Sequence, residues 1–281
     1  MNIIKNKNIL LSNPETKDFL ADAFYPETKE KLPLIIFVHG YKGYKDWGAW
    51  NLMAERFAEA GYYFVKFNFS HNGTTIENPE TFADLEAFGN NNYSKELSDL
   101  DCVINFFSEN PLVNTDQISL IGHSRGGGIC IIKTAEDMRI QSLITLASVD
   151  SLERFPKNEA FENWKKAGVY YIENGRTKQE MPHYYQFFQD FENNYHRFDV
   201  ERSMEMAKAH ILIVHGTSDE AVSVKNADHL HILNPNSELF IVENANHTFG
   251  AKEPWNEDFM PYELANITER CIEFLNQKIV N

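Results

Sequence analysis

Cysteine, cationic side chains and uninterrupted apolar runs are all scarce in this 281-residue chain, and each shortage excludes something. Three cysteines, Cys102, Cys130 and Cys271, cannot all pair within the chain, and each lies among apolar neighbours. They read as buried free thiols, not as a disulfide framework, a redox pair or a catalytic nucleophile. Only 26 lysines and arginines face 41 acidic residues, leaving a formal net charge of -15. A field of that sign repels polyphosphate and anionic lipid, so neither nucleic acid nor a membrane is expected as a partner. No run approaches the roughly 20 apolar residues of a membrane span. The first eleven residues interrupt their apolar positions with Asn6, Lys7 and Asn8, where a secretory signal needs a continuous segment. A cytoplasmic location is the expectation. None of the histidines falls in H-E-x-x-H or a comparable ligand spacing, so no metal is predicted.

What the chain does contain is an alternation of short apolar runs with amphipathic stretches, and no internal repeat. That alternation predicts an α/β fold: a mostly parallel central sheet with helices on both faces. Strands are expected at Leu34–Val38, Tyr62–Phe69, Ile118–Ile121, Leu143–Ala147, Ile211–Val214 and Leu239–Val242. Trp50, Met53, Ala54 and Phe57 mark one covering helix, and Leu97, Leu100, Ile104 and Phe107 a second. The second should start at an N-cap near Ser94 and end at Asn110-Pro111. A last helix uses Leu264, Ile267, Cys271 and Phe274, and residues 2 to 28 suit an antiparallel edge. Residues 150–205 break the alternation and read as a cap inserted in a core made of 1–149 and 206–281. Within the cap, Asn174-Gly175 predicts a tight hairpin between strands at Val169–Ile172 and Thr177–Met181, and Tyr184–His196 reads as helix.

The chemistry concentrates at Gly122-His123-Ser124-Arg125-Gly126, a G-x-S-x-G pentapeptide between an apolar strand and a helix-compatible run. A serine on so sharp a turn needs a strained backbone and neighbours without a Cβ, which the glycines provide. Serine is a poor nucleophile unless an imidazole takes its proton and a carboxylate orients that imidazole. Asp219, just past the strand Ile211–Val214, and His247, just past Leu239–Val242, are the candidates for acid and base. Asp150 and Glu243 are rival acids. His229 and His231 read as surface or packing residues, and His39, His71, His123 and His215 as structural hydrogen-bonding groups. An oxyanion also needs backbone donors. The amides of Arg125, after the serine, and Tyr41, in the His39-Gly40-Tyr41-Lys42-Gly43 loop, are the candidates.

With these motifs in place, the chain resembles the α/β-hydrolase superfamily over nearly its whole length. It looks most similar to cinnamoyl and feruloyl esterases and to dienelactone-hydrolase and prolyl-oligopeptidase-like members, which carry a cap between the sixth and seventh strands of their sheet. The resemblance implies a triad of Ser124, Asp219 and His247, oxyanion amides at Tyr41 and Arg125, no cofactor, and a small-molecule ester as substrate. Arg125 departs from the glutamine that cinnamoyl esterases often place after the serine. Trp164, Tyr170, Tyr184, Tyr185, Phe187 and Phe188 either pack the cap on its core or line an acyl pocket. A peptidase or amidase on the same triad, and a silent binding protein on the same scaffold, remain open, as does oligomeric state.

Overall fold

The computed structural model describes residues 2–279. The first half of the chain runs β1 (Ile3–Leu11), β2 (Phe19–Pro26), β3 (Leu32–Val38), α1 (Trp50–Glu59), β4 (Tyr63–Phe67), α2 (Leu85–Gly89), α3 (Tyr93–Ser108), β5 (Val113–His123), α4 (Arg125–Glu136) and β6 (Ile140–Leu146). The second half runs α5 (Glu159–Ala167), β7 (Val169–Glu173), β8 (Glu180–Tyr184), α6 (Gln186–Asn193), α7 (Val200–Met206), β9 (His210–Gly216), α8 (Lys225–Leu233), β10 (Glu238–Val242) and α9 (Tyr262–Ile279).

Eight strands form one sheet in the order β1-β2-β4-β3-β5-β6-β9-β10. The pairs β1/β2 and β2/β4 are antiparallel and the pairs from β4 through β10 are parallel. Residues 2 to 28 thus build the antiparallel edge that their sequence predicts. Alternation along each inner strand feeds two cores, one per face. Leu34, Ile36 and Val38 of β3 pack with Leu97, Leu100 and Ile104 of α3. Ile35 and Phe37 point the other way, toward Trp50, Met53 and Phe57 of α1 and Leu264, Ile267 and Phe274 of α9. Both faces being dry explains why these strands read as unbroken apolar runs.

Four local expectations need correction. The N-cap of α3 is Asn92, whose carboxamide oxygen accepts from the Lys95 amide at 3.0 Å. Ser94 lies inside the helix and its hydroxyl instead donates to Asp190, at 2.5 Å. The hairpin forms as β7/β8, but its second strand begins at Glu180 and the connection spans residues 174–179. Asn174 uses its side-chain oxygen to accept from the Arg176 amide at 3.1 Å, and Lys178 takes the left-handed conformation, so Asn174-Gly175 opens a wide turn. Cys130 and Cys271 are buried free thiols, whereas Cys102 is only partly buried. The helical stretch predicted at Tyr184–His196 is confined to α6.

One feature has no sequence signature. Asp22 of β2 and Lys66 of β4 meet at 2.7 Å, fully buried, with Lys45 2.8 Å from Asp22 and Asp46 2.6 Å from Lys66. Lys7 of β1 closes the cluster at 2.7 Å from Asp22.

Candidate active site

The strand order reverses direction between β3 and β5, whose following segments run apart on either side and open a crevice at their C-terminal ends. Ser124 sits there, directly after β5 and as the N-cap of α4, with φ 55° and ψ -121°. This sparsely populated conformation is held by bonds from the Ser124 amide to the Leu146 carbonyl (2.9 Å) and from the Gly127 amide to the Ser124 carbonyl (3.0 Å). The strand and helix meet so closely that a Cβ on Gly122 would lie 2.5 Å from the Gly126 carbonyl oxygen and 2.6 Å from the Gly127 Cα. Gly122→Ala should therefore destabilise the fold by about 3 kcal/mol, the upper end of overpacking costs, read as a lowered midpoint in chemical denaturation.

Two loops bring acid and imidazole together. The Thr217 amide donates to the Val242 carbonyl (3.0 Å), the Ser218 amide to the Ala245 carbonyl (3.0 Å), and the Asn244 amide to the Thr217 hydroxyl (2.8 Å). Across this seam Asp219 Oδ2 lies 2.8 Å from His247 Nδ1 and 3.1 Å from His215 Nε2. Asp219 Oδ1 accepts from the Ala221 and Val222 amides at 2.9 and 2.8 Å. Burial of this carboxyl alone would raise its pKa. The bonds from His215, His247 and Val222 outweigh burial and hold it well below the usual carboxylate range. An ionised Asp219 accepts only, so His247 carries its proton on Nδ1 and keeps the Nε2 lone pair available. The rival acids are engaged elsewhere: Asp150 pairs with His229 at 2.9 Å, and Glu243 accepts from Thr217.

His123 and His39 have the structural roles expected of them. His123 Nε2 donates to the His247 carbonyl at 2.9 Å, its ring 4.9 Å from that of His247. Burial, with His247 alongside, pushes its pKa down to about 3, so it stays neutral and positions the His247 backbone. His39, pushed down to about 4 by burial, lies 2.9 Å from the Gly40 carbonyl and accepts from the Phe69 amide at 3.3 Å, bracing the loop after β3.

That loop turns at Gly40–Gly43, closed by a 3.0 Å bond from the Gly43 amide to the Gly40 carbonyl, with Lys42 at φ 56°. It presses so near the elbow that a Cβ on Gly40 would be 2.8 Å from Ser124 Cβ. Tyr41, the next residue, lines the same space as Ser124. Arg125 occupies the first position of α4, where a helix amide has no partner within the helix.

Ser124 and His247 together line two cavities. One of about 170 Å³ is walled by Trp47, Trp50 and Thr248; the other, of about 450 Å³, lies under Tyr170, His183 and Phe187. The Ser124 hydroxyl makes no hydrogen bond to His247 in this structure, among the described residues. Such bonds commonly tighten only when substrate binds. Of the aromatics from residues 150–205, Tyr170 and Phe187 line the larger cavity, whereas Trp164 is buried behind it and donates its indole N–H to the His183 carbonyl at 2.8 Å. Tyr184 instead bonds outward to Glu86.

Two site features escaped the sequence. His183 Nε2 is hydrogen-bonded to the Tyr41 hydroxyl at 2.7 Å, and buried Glu96 binds the Arg125 guanidinium at 2.6 Å. Neither has a spacing signal, because each pair is joined only by tertiary packing. His215, read as a structural hydrogen-bonding group, supports Asp219 four residues on.

The elbow, the strand order and the seam define a serine hydrolase of the α/β-hydrolase fold, and the chain belongs to the prolyl oligopeptidase family, which its residues 51–265 match. No curated protein matches it. Among solved structures it is similar to Est1E from Butyrivibrio proteoclasticus bound to ferulic acid, with 18% identity over 97% of this chain and 100% of that one and a TM-score of 0.73. It is also similar to an esterase domain from a Rhodothermus marinus protein (16% identity, 99% of each chain, TM-score 0.66). A Pyrococcus horikoshii acylaminoacyl peptidase is 14% identical over 99% of this chain but 42% of its own length, with a TM-score of 0.67.

Proposed function

We propose that this hydrolase is a serine carboxylesterase in which Ser124 is the nucleophile, His247 the general base and Asp219 the orienting acid. His247 Nε2 takes the Ser124 hydroxyl proton as the oxygen attacks the ester carbonyl carbon. The amides of Tyr41 and Arg125 receive the developing oxyanion. Collapse of the tetrahedral adduct expels the alcohol, which takes the proton from His247 and leaves an acyl-Ser124 ester. Water, activated by the same imidazole, then releases the acid. Every group this sequence needs comes from the chain itself, so it calls for no cofactor.

The observation that carries the reading is the meeting of a strained Ser124 with His247 on the walls of the same cavities, His247 being backed by the buried Asp219 carboxylate at 2.8 Å. An amidase or aminopeptidase is the second reading, because the family includes peptidases by name and an acylaminoacyl peptidase shares the fold. Esters are favoured by the lining: among the described residues neither cavity presents an Asp or Glu side chain to hold a peptide's free ammonium. A panel of p-nitrophenyl acetate and butyrate beside aminoacyl p-nitroanilides tests the choice. Esters should turn over with kcat/KM at least about a hundredfold above the anilides; the reverse ranking would establish the peptidase.

A further inference from the structure

We infer that the substrate carries a carboxylate, held in the 450 Å³ cavity by Arg154 and Lys42 beside Arg125. This rests on the reading of Ser124 as nucleophile and adds the substrate's charge.

The lining of that cavity is opposite in sign to the rest of the molecule. The chain has a formal net charge of -15, yet three cations and no carboxylate line this cavity. Arg125 is balanced: its Nη2 donates to the buried Glu96 at 2.6 Å, and its guanidinium lies 5.0 Å over the Tyr41 ring. That pairing leaves Arg125 as a rigid floor beside the elbow. The other two cations have no ion-pair partner among the described residues. Arg154 reaches only the Ala221 carbonyl, at 3.5 Å, and Lys42 only the face of Tyr41, at 5.1 Å. Burial pushes the Lys42 pKa down from its ordinary value, the direction expected of an ammonium lacking an anion.

Tyr41 and His183 do not supply that anion. Their rings meet through the 2.7 Å bond, and burial holds the Tyr41 hydroxyl neutral by raising its pKa, while the His183 ring is pushed down to about 3. The lining therefore offers charged donors, neutral polar groups and aromatic faces, a set suited to a carboxylate on a short carbon chain or ring. Such a group would be repelled by the protein at long range and welcomed only at this spot, which makes any preference for it diagnostic.

The test compares isosteric pairs differing only in charge. Mono-p-nitrophenyl glutarate against p-nitrophenyl glutaramate places the group on the acyl side. The butyrate esters of p-hydroxybenzoate and p-hydroxybenzamide place it on the alcohol side. In at least one pair the carboxylate should have the higher kcat/KM by about tenfold or more, the worth of one charge-assisted hydrogen bond. The ratio should fall toward one in the double variant Arg154→Gln, Lys42→Gln. A carboxamide that matches or beats its carboxylate in both pairs, or a preference surviving the double variant, overturns the inference. If no ester is hydrolysed and a fluorophosphonate leaves Ser124 unlabelled, the nucleophile assignment fails instead. Calorimetric titration with butyrate and butyramide then reads the charge preference directly: tighter butyrate supports it, and equal binding overturns it.

Discussion

Ser124→Ala should lower kcat on p-nitrophenyl esters by about 10⁶-fold, His247→Ala by a similar factor, and the double variant no further. The reason is that the two groups act as one. Without the imidazole the hydroxyl keeps its proton, and without the hydroxyl the imidazole has nothing to activate. What survives is substrate binding and whatever the Tyr41 and Arg125 amides give to an attack by water. A fluorophosphonate should label the wild-type protein at Ser124 alone, and peptide mapping of a second labelled residue, or full activity in either single variant, would sink the assignment. The elbow geometry adds a companion result that no surface serine would share. At φ 55° and ψ -121° alanine is strained as badly as serine, whereas glycine adopts that region freely. Ser124→Gly should thus be inactive and yet more stable than Ser124→Ala by about 1 kcal/mol, measured by urea denaturation.

Asp219→Asn is expected to reduce kcat by about 10⁴-fold while leaving KM for small esters nearly unchanged. The carboxylate is surrounded by donors: His247 Nδ1, His215 Nε2 and the amides of Ala221 and Val222. An asparagine must turn its own NH₂ toward some of these donors, so His247 loses its fixed tautomer and orientation together. The same environment sets a pH dependence. Because the folded carboxyl titrates below its ordinary value of 3.8, its stabilising contribution is complete above that value and is lost as pH falls below it. The stability gap between wild type and Asp219→Asn should be flat from about pH 8 to pH 5 and should narrow as the solution is acidified below the carboxylate range. A gap that closes on raising the pH would show that Asp219 is not the ionised acceptor.

The features legible in the sequence are those governed by short-range sterics and by burial on both faces. Gly122 and Gly126 are readable because only a missing Cβ lets α4 fold back on its own strand at the first and press on the end of β3 at the second, and Leu34–Val38 because a strand dry on both sides has no polar face. The positions of Asp219 and His247 follow from the same logic, since both come directly after strands whose ends share one rim. Preferences that a tertiary partner can override are read less well. Ser94 has the chemistry of an N-cap, but Asp190 claims its hydroxyl and Asn92 takes the position two residues earlier. Asn174-Gly175 signals a turn correctly, yet the Asn174 side chain folds onto the following amides and widens it. Glu96 and His183 are out of reach for another reason: their meaning lies entirely in partners 29 and 142 residues away that only the folded chain supplies.

The buried ions at the sheet edge decide how much of the amino-terminal hairpin can be spared. To the eye, residues 2 to 28 are a peripheral ribbon added to a self-sufficient parallel core. Physically they are the counter-charge for it, because Asp22 is the anion that Lys45 and Lys66 meet inside the protein, with Asp46 the other. Trimming the ribbon would strand two ammonium groups against one carboxylate in a dry setting, at a cost of about 3 to 5 kcal/mol for each charge left unmatched. Since β4 adjoins β3, whose loop carries Tyr41, damage begun at that margin lies one strand away from the proposed oxyanion donor.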